Sequence, residues 1–458
     1  MPAIPALVPR GDGHQFVLYA DSCSGVPGAP HAATHARVNA VVQSLDPAPE
    51  FVVYPGDEII GLTTSETALR AQWAYWLDTE MAWLDRSTTP LYNTTGNHTT
   101  YDAMSARVFG DVLQHLPQNG PAGQKGLSYF VRRGELLMVF VDTLCAELGG
   151  EGRVETDWLA ATLRDHEDAR WKLVAGHHPV FAVNGFAGPY ARQIGPDYAD
   201  RFWSLLVENG VLAYLCSHIL AFDVQVQEGV LQVTTAGAGT AHRMPEGIEY
   251  LHCVQAAIDA AGLRYQVLDD DGVIRECLSW PPDLPDRDTW RPIESSLVLP
   301  FEADADADRG ALIALRLAGR TTRRADAQTL LAATPAGHRP PAMWIGLTGA
   351  EQRLTATLAP TAGRSPHYWF GPAFGAETAF DADLAIHTGM GPGGLLWRLP
   401  EGPWTSLASA SAWGAERLHW RENWTVGHGP KGERDSPFLG SDLSVRTSGF
   451  RIQDACRP

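Results

Sequence analysis

Short apolar runs and helical segments alternate along the first half of the chain, and this alternation constrains the fold more than any other feature. Runs such as Phe51–Tyr54 and Val230–Thr235 have the length and the β-branched or aromatic content of buried strands. Val38, Val41 and Val42 recur at helical spacing. The pattern predicts an α/β fold built in layers. The predicted strands are Phe16–Ala20, Phe51–Tyr54, Leu136–Val141, Lys172–Ala175, Val211–Cys216 and Val230–Thr235. One long helix is predicted over Glu66–Arg86.

Polar residues of metal-ligating types directly follow several of these predicted strands. The carboxyl ends of strands in an open α/β sheet form the crevice in which ligands bind. Metal-ligating residues directly follow a predicted strand at four places, which favours a ligand-binding site over ordinary polar turns. The residues concerned are Asp21, Gly56-Asp57, His177-His178 and Ser217-His218.

The composition of the 458 residues excludes several functions. Lysine and arginine number 35 against 53 aspartates and glutamates, which gives a net charge of −18. A chain this acidic is predicted to bind neither nucleic acid nor an anionic membrane, because its field has the wrong sign. A hydrophobic share of 45% supplies ample core. No apolar stretch approaches the length that spans a bilayer.

The cysteines and the N-terminus bear on localisation. The six cysteines show no paired spacing, which predicts free thiols in a reducing compartment. The segment Met1–Pro5 is too short and too rich in proline to be a signal peptide. We expect a cytoplasmic protein, or a secreted one whose signal has already been removed. The sequence leaves the oligomeric state open.

The second half of the chain differs in character after the proline-rich connector Pro281–Asp286. Helical periods mostly vanish, and short β-type runs alternate with turns rich in glycine and proline, which is typical of an all-β sandwich. The segment Gly440–Phe450 resembles laminin-G or concanavalin-like jelly-roll sandwiches, which often bind carbohydrate. We predict two domains, 1–283 and 284–458. The predicted runs are Ala311–Leu317, Ala342–Leu347, Arg353–Leu358, Ala382–Ile386, Leu395–Leu399 and Arg417–Trp420.

Five ordered segments at predicted strand ends resemble the calcineurin-type metallophosphoesterases, and within them purple acid phosphatases of the tartrate-resistant kind. Each piece alone is weak, but their order along the chain is specific. The resemblance implies that residues 1–283 form a four-layer β-sandwich flanked by helices. The segments are Ala20–Pro27, Tyr54–Asp57, Thr95–His98, Val174–Phe181 and Ala213–His218.

In such enzymes two metals share a bridging aspartate and activate a water for attack on a phosphate ester. Carried over residue by residue, the resemblance implies a complete second metal position. Asp57 would bridge, while Asn97, His177 and His218 would complete the coordination. Two oxygens and two imidazoles suit zinc, manganese or iron, and we expect one such divalent ion per chain.

The first metal position is incomplete. It keeps Asp21 and a share of Asp57, but Ile60 and Leu220 stand where the family has a tyrosine or aspartate and a second histidine. Cys23 stands where other metallophosphoesterases place a histidine ligand, although such a cysteine is more often a small buried hydrophobe. Three hypotheses remain: a one-metal phosphoesterase, an enzyme with different chemistry, and a fold without catalysis.

Several residues are candidates for proton transfer and substrate binding. His98 follows Asn97, where the resembling enzymes place a histidine that protonates the leaving group. Arg192 and Arg243 are candidate anchors for an anion, because a guanidinium binds phosphate with two hydrogen bonds. His178 is expected to line the substrate pocket.

The leading prediction is a hydrolase that cleaves a phosphoester of a small-molecule or oligosaccharide anion with a metal-activated water, with His98 as general acid. The alternative is a metal-assisted lyase acting on uronate-containing oligosaccharides, in which His98, Tyr101 or Tyr190 completes a β-elimination. A third hypothesis is a sugar-binding protein with a vestigial metal centre.

Overall fold

The structure is a computed structural model. It describes residues 1–186, 192–239, 248–294, 296–298, 311–333, 343–358, 366–387, 394–411, 423–428 and 436–452.

Strands and helices alternate up to residue 280. The strands are β1 (Ile4–Pro5), β2 (Gly13–Leu18), β3 (Leu45–Asp46), β4 (Phe51–Tyr54), β5 (Leu91–Asn93), β6 (Tyr129–Arg133), β7 (Leu136–Phe140), β8 (Trp171–Ala175), β9 (Ala213–Cys216), β10 (Phe222–Gln227), β11 (Val230–Thr235), β12 (His252–Asp259), β13 (Gly262–Asp269) and β14 (Ile274–Trp280). The helices are α1 (Pro30–Gln43), α2 (Glu66–Tyr75), α3 (Ala103–Val112), α4 (Thr156–Asp165) and α5 (Pro196–Glu208).

Two six-stranded sheets form the centre of this region. Their strand orders are β10-β11-β9-β8-β7-β6 and β14-β13-β12-β2-β4-β5. Side chains alternate between the two faces of a strand. Accordingly, Met138 and Phe140 of β7 enter the core that both sheets share, while Val139 packs with Leu159 of α4 and Phe202 of α5. The predicted α/β layer fold is confirmed.

The prediction of one long helix over Glu66–Arg86 is wrong for the second half of this segment. Helix α2 ends at Tyr75, a single π-helical turn covers Trp76–Glu80, and the chain then turns. The side chain of Asp85 accepts hydrogen bonds from the amide and hydroxyl of Ser87. Such local bonds compete with helical ones and favour a turn.

The C-terminal region forms two further sheets, with orders β15-β27-β17-β22-β23-β24 and β16-β26-β18-β19-β20-β21-β25. One buried cluster takes residues from both, such as Leu315 and Leu384 of the first sheet and Ile345 and Trp369 of the second. The predicted run Arg417–Trp420 lies outside the described residues. The strands are β15 (Arg291–Pro292), β16 (Ser296–Val298), β17 (Ala311–Arg320), β18 (Gln328–Ala333), β19 (Met343–Thr348), β20 (Arg353–Leu358), β21 (His367–Ala373), β22 (Ala379–His387), β23 (Leu395–Arg398), β24 (Thr405–Ser406), β25 (Ala408–Ser409), β26 (Asn423–Val426) and β27 (Ser441–Ile452).

The C-terminal sheets pack against the N-terminal region. Leu312, Leu396 and Trp404 belong to the same buried cluster as the N-terminal core. Asn184 also ties the two regions together, since its side chain donates to the carbonyl of Leu407 and accepts from the amide of Ser409.

The prediction that all cysteines are free thiols is wrong at Cys277, which is disulfide-bonded. Cys23, Cys145, Cys216 and Cys253 are free of disulfides and buried. Cysteine spacing failed here because a disulfide depends on which segments meet in the fold. Among the described residues, no helix is long and apolar enough to cross a bilayer.

Candidate metal centre

Five residues of the predicted centre lie beyond the carboxyl ends of strands in the two N-terminal sheets. Asp21 follows β2, Asp57 follows β4 and Asn97 follows β5. His177 follows β8 and His218 follows β9. Because β2, β4 and β5 are parallel neighbours, as are β8 and β9, these ends meet at one edge. The structure therefore brings together side chains that are up to 197 residues apart in sequence.

The donor atoms of the predicted second metal position converge on Nε2 of His177. This nitrogen lies 3.1 Å from Oδ1 of Asn97, 3.3 Å from Oδ2 of Asp57 and 3.0 Å from Nδ1 of His218. The histidines and Asp57 are buried. Asp21 is adjacent, because its Oδ2 accepts the backbone amide of His218 at 3.1 Å. This is a compact set of two oxygen and two nitrogen donors.

The backbone is strained where these side chains leave it. Asp21, Asp57 and His218 have φ values of 62°, 56° and 67°, in the left-handed region that side chains other than glycine rarely adopt. Such strain clusters at functional sites. Gly96 is required for the approach of two loops, because a Cβ at this position would lie 2.2 Å from Oδ1 of Asp57.

Hydrogen-bond partners of Nδ1 fix the orientation of the His177 ring. Its Nδ1 lies 2.8 Å from the carbonyl of Pro55 and 2.9 Å from the hydroxyl of Ser217. A carbonyl only accepts hydrogen bonds, so Nδ1 carries the proton that it donates to Pro55. The lone pair of the neutral ring then lies on Nε2, as in histidines that ligate metals.

The buried carboxylates of the centre are stabilised by a positive charge beside them. Burial alone would lower the pKa of His177, but the carboxylates of Asp57 and Asp21 raise it to about 9. Burial alone would raise the pKa of Asp57, but the charge of His177 lowers it to about 2. Burial raises the pKa of Asp21 to about 7. A proton on His177 supplies the positive charge in this state, and a bound cation would replace it.

His218 provides a further test of whether a metal fits. Its Nε2 is buried and has no hydrogen-bond partner within the described part of the chain. Burial and the nearby His178 and His177 hold its pKa well below the usual value, so the ring is neutral. Its Nδ1 faces the other donors, 3.0 Å from Nε2 of His177, and a neutral ring that offers this nitrogen beside a carboxylate and an amide oxygen matches a divalent transition metal.

The residues at the first metal position behave differently. Leu220 packs with Val183 and Ile248 in an apolar cluster. Donor atoms of Cys23, Asp57 and His98 lie within 4.8 Å of one another, so the structure does bring Cys23 near the site.

His98 lies beside the bridging carboxylate. Its backbone amide donates to Oδ1 of Asp57 at 2.9 Å. Its Nδ1 donates to the carbonyl of Ile60 at 2.7 Å, because that carbonyl can only accept. The remaining nitrogen, Nε2, is thus available to exchange a proton with a substrate.

His178 and Arg192 lie near the centre but are already engaged. His178 is fully buried, with Nδ1 2.8 Å from the hydroxyl of Thr143 and Nε2 3.4 Å from Oε1 of Glu151. Arg192 forms an ion pair with the same carboxylate. Glu151 therefore neutralises the predicted anion anchor Arg192 while holding His178 in place.

Tyr101 makes its hydrogen bonds outside the ligand cluster. The hydroxyl of Tyr101 donates to the carbonyl of Thr63 at 2.6 Å and accepts from its amide at 2.9 Å. This hydroxyl is a structural bridge rather than a group in the ligand cluster. Tyr190 and Arg243 lie outside the described residues.

A cavity of about 350 Å³ adjoins the centre. Asn97 and Glu151 form its boundary with the centre, and Asp142, Leu127 and Leu144 line it further in. Sequence analysis missed Glu151 and Asp142. Asp142 carries the same signal as the other site residues, since it comes just after β7, whereas Glu151 lies in a glycine-rich loop without any signal.

Comparison with known proteins agrees with this geometry. The family model of the calcineurin-like phosphoesterases matches residues 11–222. This part of the chain is therefore a calcineurin-like phosphoesterase domain, as predicted. No curated protein sequence matches the chain significantly.

Several solved structures are similar to the chain. A purple acid phosphatase from yellow lupin (Lupinus luteus) seeds is 12% identical with a TM-score of 0.44, and the match covers 59% of this chain and 54% of that protein. A dimetal phosphatase from Danio rerio is 17% identical with a TM-score of 0.38, covering 56% and 96%. The anchor protein of the inner membrane complex of Plasmodium is 13% identical with a TM-score of 0.43, covering 58% and 88%.

Proposed function

We propose that this protein is a metal-dependent phosphoester hydrolase of the purple-acid-phosphatase-like type with one metal ion per chain. The observation that carries the proposal is the convergence of Asp57, Asn97 and His218 on Nε2 of His177, at 3.0 to 3.3 Å. Zinc, manganese or iron suits these four donors. When bound, the ion acts as a Lewis acid on a phosphoryl oxygen and lowers the pKa of a bound water.

The substitutions at the first metal position support a single ion. Ile60 and Leu220 carry no donor atom in their side chains, and Leu220 packs in an apolar cluster. Asp21 remains close to the centre and accepts the amide of His218, a bond that orients this histidine.

The proton balance of hydrolysis assigns a role to His98. The oxygen of one water forms a bond to phosphorus, and the ester P–O bond breaks. The departing alkoxide takes a proton from Nε2 of His98, and the proton released by the attacking water restores it. The bond from Nδ1 of His98 to the carbonyl of Ile60 keeps the ring in the orientation that this transfer needs.

The substrate we propose is a small-molecule or oligosaccharide phosphate ester. With a net charge of −18, the molecule as a whole repels anions, so the local charge of the ion must attract the phosphate. Arg192 can contribute only when the phosphate displaces Glu151 from it. Nucleic acids and anionic membranes carry many negative charges and are unsuitable partners for this surface.

Metal content and turnover test the proposal together. Purified protein reconstituted with zinc, manganese or iron should hold about one equivalent per chain. It should hydrolyse a chromogenic phosphate monoester or diester. Two tightly held equivalents, with the absorption of a Co(II)–thiolate bond after cobalt substitution, would instead place a second ion at Cys23. Lack of turnover with every metal would refute the hydrolase.

The variant His98→Ala tests the general acid. We expect kcat to fall by about 100-fold or more while the metal content stays at one equivalent. The matched control is His166→Ala, because His166 packs against Phe130 away from the centre. Unchanged activity in His98→Ala would show that the acid is another group.

A further inference from the structure

The cavity beside Asn97 shares a wall with the centre. Its volume of about 350 Å³ falls in the range of small-molecule sites. Two other cavities of the described residues, one near Trp203 and one near Phe370, include no residue of the centre. Once the phosphoryl group lies at the centre, the alcohol half of the ester needs a neighbouring space, and this cavity provides it.

The wall of the cavity holds an incompletely bonded carboxylate. Asp142 is 4% exposed. Its Oδ1 accepts from the hydroxyl of Thr95 at 2.7 Å and from the amide of Leu144 at 2.9 Å. Within the described part of the chain, no donor bonds Oδ2. An accessible oxygen on a side chain that is otherwise buried gains most from a donor that a ligand brings.

The other charges of the cavity have the same sign. Asp102 and Glu147 also line it, and no described lysine or arginine does. Asp102 is occupied as the N-cap of α3, since it accepts the amide of Ser105, and Glu151 is paired with Arg192. A negatively charged leaving group would be repelled here, whereas an ammonium group would bond to the free oxygen of Asp142.

We propose that this cavity binds the leaving group of the substrate and that Asp142 selects an alcohol that carries a protonated amine. The inference rests on the proposed hydrolase and adds the substrate class: phosphate esters of amino alcohols. The apolar residues Leu127 and Leu144 contact the carbon chain, and the ammonium group lies at Oδ2 of Asp142.

Turnover of three matched esters tests the selection. The probes are 4-aminobutyl phosphate, butyl phosphate and 4-phosphooxybutanoate. We expect kcat/KM to be about tenfold or more higher for the amine than for the butyl ester, and lowest for the carboxylate. In Asp142→Asn the ratio of amine to butyl ester should fall towards one. Asp223→Asn, which changes another buried aspartate away from this cavity, should keep the wild-type ratio. Turnover without amine preference would overturn the inference and leave the hydrolase intact.

Binding of the free alcohols gives a readout that does not depend on turnover. Saturation-transfer NMR on the full-length, metal-reconstituted protein would compare 4-amino-1-butanol with 1-butanol. Stronger binding of the amine, lost in Asp142→Asn and kept in Asp223→Asn, supports the inference. Equal or absent binding of the two alcohols overturns it, whether or not the protein hydrolyses phosphate esters.

Discussion

Replacing Asp142 by asparagine should stabilise the protein, and the gain should depend on pH. Asparagine has nearly the shape of aspartate, and its oxygen can keep the hydrogen bonds from Thr95 and Leu144. Its amide group then takes the position of Oδ2, to which no described residue donates. The substitution thus removes a buried charge without breaking a bond.

The magnitude follows from the pKa of Asp142, which burial raises from its usual 3.8 to about 6. Between these values the folded chain binds a proton that the unfolded chain has released, so stability falls as pH rises through this window and stays lower above it. At about 1.36 kcal/mol per pKa unit, the loss is about 3 kcal/mol at pH 7.5 and about half of that at pH 5. The asparagine variant avoids this loss.

Thermal unfolding in the presence of a chelator measures the effect. At about 1 °C per kcal/mol for a chain of 458 residues, we expect the unfolding temperature to rise by about 3 °C at pH 7.5 and about 1.5 °C at pH 5. The matched control is Asp223→Asn. Burial raises the pKa of Asp223 to about 6 as well, but both of its oxygens accept hydrogen bonds, from Asn184 and Gln225. Asparagine would lose one of these bonds, so this variant should gain little.

Two results would refute the reasoning. A gain of equal size at both pH values would mean that the charge of Asp142 is not its source. A loss of stability at both pH values would mean that Oδ2 accepts a hydrogen bond that the NH2 group of asparagine cannot accept.

Three further predictions concern the centre and the covalent structure. Gly96→Ala should weaken metal binding by about 100-fold or more in calorimetry, since the new methyl would lie 2.2 Å from Oδ1 of Asp57. The control Gly110→Ala, whose new methyl has nothing within 4 Å, should bind metal normally. Equal affinities of the two variants would contradict the close approach of Gly96 to Asp57. Tyr101→Phe should retain its kcat while losing about 1 kcal/mol of stability with the bond to Thr63, and a large fall in kcat would return this tyrosine to the catalytic candidates. Denatured, unreduced protein should titrate with fewer than the six thiols of the sequence, because Cys277 is disulfide-bonded, and six would contradict the bond.

The sequence predicted four of the five strands that position the centre, and it missed β5, which precedes Asn97. Phe51–Tyr54 was predicted with its observed bounds, because four consecutive apolar residues followed by Pro-Gly-Asp leave little freedom. Asp57, His177 and His218 were identified for the same reason, since polar residues directly after buried strands meet at one edge of a sheet.

Other features depended on contacts that no local pattern encodes. The glycine-rich loop that contains Glu151 folds back onto His178, and only the fold places that carboxylate between a histidine and Arg192. The hydrogen bond from Tyr101 to the carbonyl of Thr63 was not predicted, because the two residues are 38 positions apart. The end of α2 was missed because the helical spacing of Trp73, Trp76 and Trp83 continues past Tyr75, where the helix ends.

The packing of the C-terminal sheets against the N-terminal region has a practical consequence for anyone who wants to shorten the protein. Val224 and Val226 of β10 share their apolar cluster with Leu396 and Trp404, and the amide of Val226 donates to the hydroxyl of Ser406. A chain that stops near residue 283 would present these groups to water, and we expect it to aggregate. We therefore expect that residues 1–283 cannot be used as an independent unit, and that replacing the C-terminal region by another domain would require new contacts at this interface.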